Sequence, residues 1–128
     1  MDTAICNWRS DIRETVDSSK VMSALDITET DVFGCDLIIS NPPFTKSVLL
    51  PCIDHLSKLL PTWLLLPADM LHNKYMTPYM KKCSMVLSVG RLCWFPSDEG
   101  KMIKGVDNYC WYKFVDYDTE TVFKGRLT

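Results

Sequence analysis

Asp36-Leu-Ile-Ile-Ser40-Asn41-Pro42-Pro43-Phe44 is the stretch that decides how this chain is read. Its first half is an apolar run with two adjacent isoleucines and turn residues on either side, the pattern of a buried parallel strand. A Pro-Pro corner follows. Beyond it, Val48, Leu49, Cys52, Ile53, Leu56, Leu59 and Leu60 recur at three- and four-residue spacing, which predicts a helix with Asp54 and Lys58 on its other face. Pro51 is expected in the first turn, where a missing N–H costs nothing, and Pro61 ends the helix.

Working outward, Thr62–Leu66 reads as a second buried strand, and Asp69 as the cap of a helix running to about Lys82. Met85–Phe95 and Val106–Tyr117 have strand character, separated by a polar loop from Pro96 to Gly105, and Thr121–Leu127 adds a short last strand. Upstream, Ala4–Trp8 reads as a strand ending at Asp11, and Val21–Leu25 as one ending at Asp26. Strands alternating with helices, then a closing pair of strands, indicate one α/β domain over residues 1–128.

Bulk properties narrow the function classes. At 47% hydrophobic residues the chain has material for a packed core, so disorder is excluded. No apolar run approaches the roughly 18–20 residues of a membrane helix, and the acidic first twenty residues lack a signal peptide's apolar region, so the expected location is cytoplasmic. The six cysteines are widely spaced with no C-x-x-C pair, which favours buried free thiols over a disulfide scaffold or zinc. His55 and His72 have no acidic or cysteine partner at ligand spacing, so no metal is expected. Trp94, Trp111, Tyr109 and Tyr112 suit a core and cross-strand pairs better than a base-stacking face. A formal charge of −2 supplies no general basic excess for nucleic acid, so such binding would need a local patch.

The corner carries the chemistry. An exocyclic amine is a poor nucleophile because its lone pair is delocalised into the ring. A site that accepts hydrogen bonds from both N–H groups favours a more pyramidal nitrogen, with its lone pair aimed at an electrophilic methyl group. Asn41 offers a side-chain amide oxygen and Pro42 a main-chain oxygen at fixed spacing. Two prolines stiffen the corner so that the acceptors are preorganised. Phe44 offers an aromatic face for a flipped-out base. The competing reading is an ordinary Asn-Pro turn, against which stands the placement of Asn41 between a buried strand and a helix.

These residues resemble the catalytic motif of the DNA adenine-N6 methyltransferases. Leu65-Leu66-Pro67-Ala68-Asp69-Met70-Leu71 resembles the strand and helix that follow it in many members. Arg91–Phe95, a loop and Asp107–Phe114 resemble the closing strands of small phage-type members, whose intervening loop, here with Lys101 and Lys104, faces nucleic acid. The resemblance implies an incomplete Rossmann-like class I methyltransferase sheet with flanking helices and a C-terminal antiparallel strand pair. It implies S-adenosylmethionine as cofactor, with Asp11 at its ribose and Asp26 near its adenine, although both aspartates also read as solvated turn residues.

The chain departs from the family in one respect. None of its five glycines forms the G-x-G turn with which such enzymes hold the cofactor. On this alignment it begins at the family's second strand, as a fragment, half of a split enzyme, or a shortened phage or mobile-element derivative. The expected partner is DNA for an active enzyme of a bacterial host's cytoplasm. For an inactive pseudoenzyme it is a host protein that the chain inhibits. Exposed sheet edges add a homodimer or a complementing chain. Ribosomal-RNA guanine-N2 and protein glutamine methyltransferases share N-P-P-[YF] and are the alternative substrate classes.

Overall fold

The computed structural model describes residues 24–96 and 102–126. A five-stranded mixed sheet runs β1-β2-β4-β3-β5, where β1 is Ile38–Ser40, β2 Thr62–Pro67, β3 Cys83–Pro96, β4 Met102–Phe114 and β5 Val122–Lys124. β1 lies parallel to β2, with Ile38 beside Thr62 and Ser40 beside Leu64. A parallel pair needs a long crossover, and α1 (Lys46–Leu59) supplies it. β4 is antiparallel to both neighbours, and β5 returns parallel to β3. The α/β class and the antiparallel closing pair agree with expectation.

The two faces of the sheet follow from alternation along the strands. Leu64 and Leu66 of β2 lie opposite Tyr112 and Cys110 of β4, and all four are buried. Leu49 and Ile53 of α1 pack on this side, as do Met70 and Met76, to form the main core. Tyr112 is fully buried, stacked 6.2 Å from Phe114, with its hydroxyl 2.8 Å from the Pro67 carbonyl and 3.0 Å from that of Ala68. Burial pushes this phenol far above its ordinary range, so it stays a neutral donor that pins the carboxyl end of β2. A smaller cluster of Ile27, Val32 and Leu56 seats residues 24–35 against α1, where the His55 ring nitrogen Nε2 meets the Ile27 carbonyl at 2.6 Å.

Several sequence expectations need correction. α1 opens at Lys46, because the extended Thr45 receives the Val48 and Leu49 amides on its carbonyl. Pro51 therefore lies in the second turn and not the first. Its exposed position leaves the exposed Ser47, four residues earlier, as the carbonyl given up to solvent. No helix runs from Asp69 to Lys82. Two 3-10 turns, Ala68–His72 and Lys74–Met76, lead into a single α turn, Thr77–Met80. Pro78 explains this: within a continuous helix it would remove the bond to Lys74 and clash with that carbonyl, but in the first turn of a new helix it does neither.

β4 starts at Met102 and ends at Phe114, where the sequence suggested Val106–Tyr117. The segment expected as the strand Val21–Leu25 is, over Ala24–Asp26, a 3-10 turn. The expected strand Ala4–Trp8, with Asp11, lies outside the described residues. Cys35, Cys52, Cys83 and Cys110 are free thiols. Burial raises Cys83 to about 11 and also lifts Cys52 and Cys110. No described helix is long and apolar enough to cross a membrane.

Candidate active site

Asn41 directly follows β1, so the corner Asn41-Pro42-Pro43-Phe44 sits at the carboxyl end of a parallel strand. Ligands of α/β sheets collect at such strand ends. Pro42 is buried and anchors the corner, while Asn41 and Pro43 are exposed. The ring of Pro42 fixes its φ, and Asn41 beside it is open to solvent.

Phe44 is half-buried and packs against the main core. Its ring centroid lies 5.9 Å from that of Tyr109, with the planes tilted by 36°. Tyr109 belongs to β4 and pairs with Pro67, so it stands at the carboxyl end of β2, beside the corner. Burial first, and the Asp107 carboxylate second, push the Tyr109 phenol upward, which keeps it neutral at physiological pH. A second aromatic contact lies just inside α1, where Lys46 Nζ sits 4.8 Å above the Tyr75 ring. The Tyr75 hydroxyl in turn accepts from Asn73 Nδ2 at 3.0 Å.

Tyr109 and Tyr75 were not legible as neighbours of the corner. Tyr109 read as a core or cross-strand residue, and it is buried; its contact with Phe44 is set by a register that joins distant parts of the chain. No sequence signal marks Tyr75.

The remaining candidates are not assembled around the corner. Asp26 is exposed in a 3-10 turn adjacent to Ile27, which is tied to His55 about 13 Å along the helix axis from Lys46. Lys104 lies within β4, its backbone paired with Cys93, and not in a loop. The expected loop position changes because pairing with β3 carries the hairpin further than Gly105 suggested. Lys101 and Asp11 lie outside the described residues. Asp69 is exposed inside a 3-10 turn and caps nothing by its side chain.

A pocket of about 240 Å³, lined by Ile53, Asp54, Ser57, Tyr79, Lys82 and Phe114 among others, contains no residue of the corner. Phe114 pairs with Thr62 at the amino end of β2, so this hollow lies at the wrong end of the sheet for strand-end chemistry. The described residues contain no group of three or more His, Cys, Asp and Glu side chains able to hold a metal.

Compared with known proteins, the chain matches no family model, no curated protein and no solved structure.

Proposed function

We propose that this chain is an amino-methyltransferase-like protein of the DNA adenine-N6 class, in a shortened or split form. One observation carries the reading: Asn41-Pro42-Pro43-Phe44 stands at the carboxyl end of a parallel strand, with Pro42 buried and the Asn41 side chain exposed. The insertion of the reversed strand β4 between β2 and β3 supports it, since the resemblance implies a closing antiparallel pair.

In this reading the Asn41 amide oxygen and the Pro42 carbonyl accept the two N–H groups of an adenine amine. The prolines hold those acceptors rigid, and Phe44, steadied by Tyr109, offers its ring to the base. S-adenosylmethionine would supply the methyl group when bound. The described residues fit the amine better than they fit this cofactor. Gly34 and Gly90 have positive φ, yet Gly34 lies before β1, away from Asn41, and Gly90 faces Arg126. No transfer step is therefore assigned to the described residues alone.

β1 is an edge strand of the described sheet, and Leu37 just before it and Ile39 within it are exposed. This favours completion of the site by a complementing chain or a second copy. It equally favours the second reading, an inactive methyltransferase-derived phage or mobile-element protein that binds and inhibits a host factor.

Isothermal titration with S-adenosylmethionine, paired with methyl-transfer assays on DNA, tests the proposal. Micromolar cofactor binding, with transfer reduced at least about a hundredfold by Asn41→Ala, is the expected outcome. No binding at millimolar cofactor would sink the stand-alone enzyme and leave the inactive binder.

A further inference from the structure

The face of the sheet turned away from α1 has a composition that the corner does not use. Register places Trp63, Lys113, Met85 and Val122 in one row across four strands. The next row holds Leu65, Trp111, Leu87 and Lys124. Trp63, Trp111, Met85 and Leu87 are all only half-buried, and Lys124 is exposed. The helical residues of the main core, Leu49, Ile53, Met70 and Met76, pack with the opposite face.

The two rows contain the cations Lys113 and Lys124 and no carboxylate, whereas the whole chain is net negative. Lys113 Nζ lies 5.8 Å over the Trp63 ring, and the exposed Arg126 reaches across Gly90, its Nη1 3.3 Å from where a Cβ would stand. Cations interleaved with half-exposed indoles on a twisted sheet are suited to an unpaired strand of nucleic acid. Bases stack on the indoles, and phosphates meet the cations. A duplex is disfavoured, because its base faces are already stacked on one another.

We propose that this second sheet face is a platform for single-stranded DNA, with Trp63 and Trp111 stacking bases and Lys113, Lys124 and Arg126 contacting phosphates. The choice of DNA rests on the methyltransferase-like reading, in which a base leaves its stack at Phe44. Tyr109 links the two places: it touches Phe44 and precedes Trp111 by two residues on β4. The platform itself needs neither cofactor nor Asn41, so it stands or falls by a separate measurement.

Fluorescence anisotropy of a labelled twelve-nucleotide oligothymidine, titrated with the full chain at 50–200 mM salt, is that measurement. Lys113→Gln with Lys124→Gln keeps the aliphatic stems and should weaken binding at least fivefold while lowering the log–log salt slope by about 1.4. Trp63→Leu should weaken it further with the slope unchanged, circular dichroism confirming the fold. Asn41→Ala should bind as wild type does, so lost methyl transfer with retained oligonucleotide binding separates the two proposals. Absence of binding at 50 mM salt, or indifference to the double lysine change, overturns the platform. Tighter binding of the matching RNA overturns the assignment to DNA.

Discussion

The same strands present two unlike surfaces. On one side of β4, Cys110, Tyr112 and Phe114 are buried beneath α1 and the 3-10 turns. On the other, Trp111 and Lys113 are half-buried, and the edge residue Ile39 is 56% exposed. Since alternate residues of one strand share backbone geometry, the difference comes from what packs on each face and not from strand propensity. Most of the buried side chains therefore lie on one face, although Leu65 and Tyr109 are buried on the other, which elsewhere carries charge and aromatic surface.

The comparison breaks if the faces respond alike to truncation. Leu66→Ala, at a fully buried position, should cost about 2–5 kcal/mol, while Ile39→Ala should cost under about 0.5 kcal/mol. Urea denaturation reads both as shifts in midpoint at constant slope. Equal losses would mean that the second face is as tightly packed as the first.

A smaller effect concerns Cys83, also in the packed layer and raised by burial from about 9 to about 11. Its folded form holds the proton more tightly than its unfolded form. The stabilisation is thus complete below pH 9, falls as pH rises toward 11, and amounts to about 2–3 kcal/mol when lost. Thermal melts between pH 8 and 11 should show this decline, and Cys83→Ala should flatten part of it. A decline of the same size in the variant would assign the effect to the buried tyrosines.

The smallest expected change sharpens the picture at the site. Tyr112→Phe removes the one proton shared by the Pro67 and Ala68 carbonyls and should cost about 1–2 kcal/mol. Because those carbonyls end β2 beside Tyr109, amide exchange at Ala68–Met70 should quicken more than exchange in α1. Uniform acceleration would show that the hydroxyl stabilises the core at large and not this strand end.

What could be read in advance follows the range of the interactions involved. The order of strand, corner and helix was legible because each part declares itself within a few residues, but the run read as a buried strand from Asp36 is a three-residue edge strand, Ile38–Ser40, with Ile39 exposed. The apolar stripe begins only at Val48, whereas the helix opens earlier, because Thr45 ends the extended corner. Past Asp69 the apolar spacing suggested a helix, and Pro78 overruled it. The arms of the β3–β4 hairpin run further than the sequence suggests, since Lys104 is a poor strand former locally and is held by pairing with Cys93 of β3. In the candidate site the corner was visible and its surroundings were not, because Tyr109 reaches Phe44 through sheet register alone.

The reversed strand has a further consequence, in time and not in space. β2 leaves the ribosome well before β4, yet β4 is the strand that must lie against its inner edge. At synthesis rates of about 5–20 residues per second, that edge of Thr62–Pro67 waits several seconds for its partner. During this interval its run of leucines is a template for any other nascent strand, so the yield of folded protein is set by how quickly the hairpin of β3 and β4 closes over it.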